Sequence, residues 1–263
     1  MTGGITSIPV TIAPTQPGSL LVVVVMTNSA DVTALTDSAS QSYARDNDLT
    51  PGTERRIIIF SKANTAAGVT SVTVTTTSYS GVWVIEYSGM PAADVVDVNP
   101  AGQSGTSATV AQTFSTNAVD VIVAALAGND ATPNSDSIDS PFSFVDNGGG
   151  GKSWAVTDSL DVAAGSHSPT IHLLGSVAWD ICCVGYKCNP AATLEQSKYE
   201  YRDDDGDKAT ATALAGENTT ITRAPALNTR LRVQVNATGD PASGQFQLEY
   251  RKQGSSQWHK AGE

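Results

Sequence analysis

The apolar run LLVVVVM at residues 20–26 limits most strongly what this chain can fold into. It has the length of a β-strand and is rich in β-branched residues, which favour extended backbone. Similar segments recur at short intervals between turn residues, and no window of about 11 residues carries the apolar stripe of a helix. The sequence therefore predicts an all-β fold of antiparallel strands, either a β-sandwich or a jelly roll. Strands are expected at residues 10–12, 20–26, 56–61, 71–76, 82–87, 121–126, 142–145, 154–157, 170–174 and 179–186.

Two halves of the chain repeat the same order of segments. The matching pairs are SLLVVVVM at 19–26 with DVIVAALA at 120–127, AAG at 66–68 with AAG at 163–165, and WVIEYSG at 83–89 with WDICCVG at 179–185. Each half holds too few predicted strands to cover its own apolar face. We therefore expect residues 1–190 to form one large β-sandwich domain, built of two similar halves around one shared core.

The alternation of side chains along a strand assigns faces to the repeated segment. Trp83 and Trp179 take matching places in the repeat and are predicted to lie inside the sandwich at equivalent positions. Cys183 shares the face of Trp179 and should point into the core. Cys182 then falls on the opposite face, where the first half has Glu86.

The character of the sequence changes after a short linker at residues 189–192. Charge density rises, and apolar and polar residues then alternate as in an antiparallel sheet with one wet face. The apolar members are Leu231, Val233, Val235, Phe246, Leu248 and Tyr250. This pattern predicts a smaller Ig-like β-sandwich domain over residues 195–263, whose sequence stops where another strand would be expected.

The composition argues against several classes of partner. The net charge is −11 with only 15 Lys and Arg residues, whereas nucleic-acid binding needs clustered cations, so no nucleic-acid partner is expected. No apolar stretch approaches the roughly 18 residues of a membrane span, and no secretory signal is visible at the start. Three cysteines without C-x-x-C spacing predict reduced thiols packed as small hydrophobic groups.

The glycine-rich segment VDNGGGGKSW at residues 145–154 ends like a phosphate-binding loop. Asp146 stands where that motif needs its first glycine, and the residues that follow alternate like a strand instead of opening a helix. We read the segment as a connection between strands. Nucleophile-elbow, H-E-x-x-H and C-x-x-C patterns are absent, and the odd separation of His167 and His172 puts them on opposite faces. The sequence thus predicts a protein that is not an enzyme and needs no cofactor.

One acidic segment, RDDDGDK, is a candidate calcium site. Asp203, Asp205 and Asp207 place hard oxygen ligands at alternate positions around a glycine turn, as Ca²⁺ prefers. An EF-hand register fails, because Tyr201 and Thr212 would occupy positions that need carboxylates. The alternative is a polar turn in which aspartates bond to their own backbone.

Several segments resemble a β-sandwich module of bacteriophage structural proteins and bacterial surface proteins. The similar stretches are PTQPGSLLVVVV, DVTALTDSASQSY, NTAAGVTSVTVT and VWVIEYSGM, which together span about residues 8–188. The tail from QSKYEYRDDDGDK onward resembles a small β domain appended to such proteins. The resemblance implies a fold and a kind of protein, but no reaction.

Two functions follow as expectations. The first is a non-enzymatic structural protein of a bacteriophage virion, either a head decoration, capsid-associated, or a tail or fibre subunit, with other virion proteins and copies of itself as partners. The second is a carbohydrate-binding or adhesive module of a bacterial surface protein, with a host-surface glycan as ligand. Aromatic residues that could form a sugar platform are Trp154, Trp258, Tyr43 and Tyr79.

Overall fold

The chain divides into two compact units, Met1–Asn189 and Pro190–Glu263. A computed structural model describes residues 6–50, 56–78, 80–128, 135–146, 154–189, 193–203, 205, 210–222, 224, 227, 229–238, 249–250 and 259–260. Over these residues the fold is all-β, with antiparallel sheets and a β-sandwich architecture. None of the described segments forms a helix long and apolar enough to cross a membrane.

The first half of the large unit is a sandwich of two antiparallel sheets. Its strands are β1 (Thr6–Thr11), β2 (Leu20–Thr27), β3 (Val32–Asp37), β4 (Ala44–Leu49), β5 (Arg56–Lys62), β6 (Ser71–Thr76) and β7 (Ser80–Tyr87). One sheet has the order β1-β6-β3, and the other has the order β4-β5-β2-β7. The apolar run at residues 20–26 is thus an inner strand, with β5 and β7 on either side.

The second half repeats this strand order. Its strands are β8 (Val96–Val98), β9 (Gln103–Ala111), β10 (Phe114–Thr116), β11 (Asp120–Gly128), β12 (Ser135–Ile138), β13 (Ser143–Asp146), β14 (Trp154–Val162), β15 (Gly165–His167) and β16 (Thr170–Lys187). The order β9-β16-β12 matches β1-β6-β3, and β13-β14-β11-β16 matches β4-β5-β2-β7. Two separate strands of the first half, β6 and β7, therefore correspond to one long strand, β16.

Three hydrophobic clusters hold the large unit together. The first-half core lies between the two sheets of that half and includes Val23 and Val25. The second-half core includes Ile122 and Cys183. A third cluster, the central core, joins β2, β5 and β7 of one half to β11, β14 and β16 of the other. The two halves thus share the central core, and in addition each half encloses a core of its own, which the sequence did not predict.

Both faces of the inner strands are buried as a result. Every residue of β2 and β11 is buried. Along β2, Leu20, Val22 and Val24 pack in the central core, and Val23 and Val25 pack in the first-half core. This two-sided burial explains why the run is apolar without alternation.

The proposed equivalence of Trp83 and Trp179 is wrong. Trp83 lies opposite Val24 and packs against the central core, whereas Trp179 packs against the second-half core. Both side chains are only half-buried. Tyr87 pairs with Leu20, and Tyr186 pairs with Val121, the residue that the repeat aligns with Leu20, so the equivalent residues are Tyr87 and Tyr186. This alignment is shifted from the tryptophan match by an odd number of residues, and an odd shift exchanges the two faces of a strand.

The cysteines follow the predicted parity, but both faces are buried. Cys183 lies in the second-half core as expected. Cys182 lies on the opposite face, and this face belongs to the central core, so its side chain is fully buried too. Burial raises the pKa of the Cys182 thiol to about 12. All three cysteines, including the half-buried Cys188, are free thiols.

In the small unit the main described feature is a two-stranded ladder. Strand β17 (Thr193–Asp203) pairs antiparallel with β18 (Thr229–Thr238), and β19 (Glu249–Tyr250) pairs with β20 (His259–Lys260). Leu231 and Val233 are 40% and 37% exposed, opposite Tyr201 and Tyr199. Of the other residues in the predicted apolar face, Phe246 and Leu248 lie outside the described residues, as do the side chains of Val235 and Tyr250.

We predict that neither half of the large unit folds alone. Expressed separately, residues 1–95 and 96–189 would each expose one side of the central core, which includes Leu20, Val22 and Ile57 in the first half. The loss of this apolar burial is expected to abolish a cooperative monomeric transition. Thermal unfolding followed by circular dichroism, with size-exclusion chromatography and residues 1–189 as control, tests this. A monomeric half with a cooperative transition would contradict it.

Candidate functional site

Polar side chains fasten the two halves of the large unit along the edge of the central core. The Asn47 amide on β4 donates to the carbonyl oxygens of Pro100 and Cys183, each at 2.9 Å. The Asn99 amide donates in the other direction, to the carbonyl oxygen of Asp46 at 2.9 Å. These bonds satisfy backbone carbonyls where the halves meet, and they fix the register between them.

Two tyrosines reach across the central core to carboxylates of the opposite half. Tyr186 donates to Asp46 at 2.8 Å, and Tyr87 donates to Asp158 at 2.9 Å. Burial raises the pKa of the Asp46 carboxyl, although hydrogen bonds from Ser61 and Tyr186 partly offset this effect. Asp46 is thus a half-buried acceptor that two hydroxyl groups hold in place.

Beside Asp46 the surface forms a groove of about 790 Å³. Lys62 of the first half and Lys187 of the second half both line it, and so does Asp94 in the connection between the halves. The remaining lining is small: Ser42, Ala44, Ser61, Ala63, Ala92, Val95 and Val96. The groove therefore brings together cations, carboxyl groups and hydroxyls from segments that are distant in sequence.

Two carboxyl groups, those of the buried Asp120 and the half-buried Asp97, lie close together near the start of β11. Asp120 is fully buried, and neither of its oxygens has an N–H or O–H donor among the described residues. Burial, followed by the neighbouring Asp97 carboxyl, raises the pKa of Asp120 to about 7, while Lys187 opposes the shift. Burial and a second carboxyl group nearby both disfavour the charged form of Asp120. Gly185 makes room for it, since a Cβ at that position would lie 2.7 Å from Asp120 Oδ2.

The TDSASQSY segment has an architectural role. Asp37 accepts hydrogen bonds from the backbone N–H groups of Ala39 and Gln41, the Gln41 amide and the Tyr43 hydroxyl. Burial works against the charged form, but these bonds outweigh it and lower the pKa of Asp37. Gln41 Oε1 then accepts from the N–H of Ala66 in the AAG turn at 3.0 Å. Two sequence motifs thus fasten to each other and close one end of the first sandwich.

The calcium candidates are described only in part. Asp203 ends β17, and Asp207 lies outside the described residues. Asp205 is exposed, and its two oxygens accept from the hydroxyl and the backbone N–H of Thr212 at 2.5 and 2.8 Å. These two bonds lower the pKa of Asp205. The bonding is that of a polar turn, and the calcium site stays a prediction.

The aromatic candidates are engaged in packing where they are described. Trp154 packs edge-on against Trp83, with ring centroids 5.6 Å apart, and the Trp83 indole N–H donates to Asp146 at 2.7 Å. Tyr43 is tied to Asp37. Tyr79 and Trp258 lie outside the described residues, as do the glycines of the supposed phosphate loop and Lys152.

The two histidines whose side chains the structure describes, His167 and His172, have separate partners. His167 Nε2 lies 2.9 Å from the carbonyl oxygen of Ala163, and His172 Nε2 lies 3.0 Å from Asp139 Oδ1. Within the part of the chain that the structure describes, no group of three His, Cys, Asp or Glu side chains could hold a metal ion.

Sequence reasoning missed the groove and the carboxyl pair, although each left a trace. Lys62 and Lys187 each end an apolar strand in a chain that has few lysines. Asp120 begins a strand that is otherwise apolar, and the repeat aligns it with Ser19, which is buried. A charged residue aligned with a buried position is a sign of a special environment.

Comparison with known proteins identified no relative of this chain. No protein-family model, curated protein or solved structure matches the chain. The evidence for the β-sandwich architecture and for the duplicated strand order is therefore the structure of this chain alone.

We predict that Asp120→Asn makes the protein more stable at neutral and alkaline pH. A carboxyl whose pKa rises from 3.8 to about 7 on folding binds its proton more tightly in the native state. The contribution of Asp120 to stability should therefore be full below about pH 4 and be lost as the pH rises through 7, a loss of at most roughly 4 kcal/mol at about 1.4 kcal/mol per pKa unit. Asn stays neutral, and its amide can donate to Asp97.

Urea unfolding of both proteins at pH 5 and pH 8 measures this effect. The difference in unfolding free energy between the two pH values should shrink in Asp120→Asn. Asp94→Asn, at an exposed position, is the matched control and should keep the wild-type pH dependence. An Asp120→Asn variant that is equally destabilised at both pH values would contradict the raised pKa of Asp120.

Proposed function

We propose that this chain is a non-enzymatic structural protein of a bacteriophage virion that acts by assembly with other virion proteins and with copies of itself. The observation that supports it best is how the polar groups of the large unit are used. Asp37, Asn47, Tyr87 and Tyr186 are all engaged in holding loops or halves together. A rigid block whose polar side chains secure its shape suits a particle subunit.

The thiols support the same proposal. Burial raises the pKa of Cys182 to about 12 and that of Cys188 to about 11, so neither is a ready nucleophile at neutral pH. Free thiols packed in a core suit a protein that assembles in a reducing compartment, as virion proteins do inside the host cell.

An uncharged sheet face offers a surface for neighbouring copies. The β1-β6-β3 sheet turns Val72 and Val74 into the first-half core, so the alternate side chains face outward. The outward residues are Ser7, Pro9, Thr11, Ala34, Thr36, Ser71, Thr73 and Thr75. In a chain with a net charge of −11, a neutral face lets copies approach without like-charge repulsion. We assign it to contact between copies in the particle.

The proposal predicts that the protein is a stoichiometric component of purified phage particles. Mass spectrometry of gradient-purified particles and a cryo-EM map locate it. Thr73→Glu places a carboxylate in the centre of the neutral face and should reduce incorporation, whereas Thr222→Glu, at an exposed site of the small unit, should not. Absence from the particles would refute the virion role, and normal incorporation of Thr73→Glu would refute the assigned contact face.

A further inference from the structure

We propose that the groove between the two halves of the large unit, lined by Lys62, Lys187, Asp46 and Asp94, binds an acidic saccharide, a sugar chain that carries carboxylate groups. This inference goes beyond the structural role and holds wherever the protein is located. The two halves contribute to the groove jointly, so the site exists only because they are fused along the central core.

Two lysines give the groove its positive charge. Lys62 and Lys187 are the lysines of the large unit that the structure describes, and both line this groove. Their ammonium groups donate to the carbonyl oxygens of Ala63 and Asp94 at 2.9 and 3.0 Å. An ammonium group has three N–H donors, so each lysine is held at the rim with protons left for a ligand carboxylate.

The arginines of the large unit contrast with these lysines. Arg45 and Arg56 form ion pairs with Asp31 and Asp48 at distances between 2.6 and 3.4 Å. Their positive charge is already neutralised by two carboxylates. Among the cations of this unit that the structure describes, the two lysines of the groove are therefore the ones that form no ion pair.

The acceptors restrict the ligand further. Asp46, fixed by the Tyr186 and Ser61 hydroxyls, and the exposed Asp94 add carboxyl groups to the same groove. These carboxyl groups disfavour the binding of a simple inorganic anion, because their negative charge repels it as it approaches the lysines. A ligand that offers a carboxylate to the lysines and hydroxyl donors to the aspartates satisfies both sets, and a sugar acid has both.

The size and the walls of the groove fit this ligand. Its volume of about 790 Å³ lies within the range of about 300–1,000 Å³ for small-molecule sites. The walls carry short side chains such as Ala44, Ala63 and Ala92. Short apolar walls leave room for a pyranose ring and contact its C–H face, while the polar groups at the rim select its substituents.

Isothermal titration calorimetry with trigalacturonic acid tests the inference. The matched ligand is its methyl ester, which keeps the rings and ring hydroxyls but lacks the charges. The test variant is the double substitution Lys62→Gln with Lys187→Gln. The control is Lys198→Gln in the small unit, whose ammonium pairs with Glu217 at 2.7 Å. Thermal melting of each variant verifies the fold.

We expect trigalacturonic acid to bind at least tenfold more tightly than its ester, and the double variant to lose at least tenfold in affinity while Lys198→Gln does not. Affinity should also fall as salt rises. Any of four results overturns the proposal: no binding at millimolar ligand, equal binding of the ester, unchanged affinity of the folded double variant, or equally tight binding of triglutamate. The last result would assign the groove to acidic peptides.

Discussion

The large unit depends on the burial of its inner strands on both faces. A strand such as β2, in which every residue is buried, needs an apolar layer on each side. One sandwich provides only one such layer, so the second layer must come from the other half. Duplication supplies it: β11 has the same property and the same place in its own sheet. The central core is therefore the interaction that makes two similar sandwiches a single body.

Polar bonding around the central core follows from this burial. The polar side chains at the edge of the core carry hydroxyl, amide or carboxyl groups, and these groups need hydrogen-bond partners where the dielectric constant is low. The pairs Tyr186–Asp46 and Tyr87–Asp158 provide them across the halves. Asp120 meets the same requirement by a different route, because burial and the neighbouring Asp97 carboxyl favour its neutral form and raise its pKa to about 7. Function on this scaffold is then left to the surface, where the neutral sheet face and the groove with its two lysines lie.

The sequence predicted much of the fold and little of the candidate site, for physical reasons. The apolar composition of inner strands marks them in the sequence, so the all-β class was right and the predicted apolar strands overlap observed ones. The two strands expected at residues 170–174 and 179–186 are instead one continuous strand, β16. Outer strands such as β4 (ARDNDL) and β9 (QSGTSATVA) are polar and largely exposed, and no apolar pattern marks them. The tryptophan match failed because residue identity carries no register, and a shift of an odd number of residues exchanges faces. The groove could not be predicted, since Lys62 and Lys187 lie far apart in sequence and meet only through the packing of the halves.

The continuity of β16 gives the two halves different mechanical behaviour. Its first residues pair with β12 and β9 in the outer layer, where Leu174 is 67% exposed, and its last residues pair with β11 beside the central core. Tension on this strand enters both layers through one covalent path, so they should yield together in shear. In the first half the corresponding strands end at Thr76 and begin again at Ser80. Because the two strands are not one extended segment, we expect the outer sheet of the first half to detach under load while its central sheet stays paired, so that the first half unfolds in two steps.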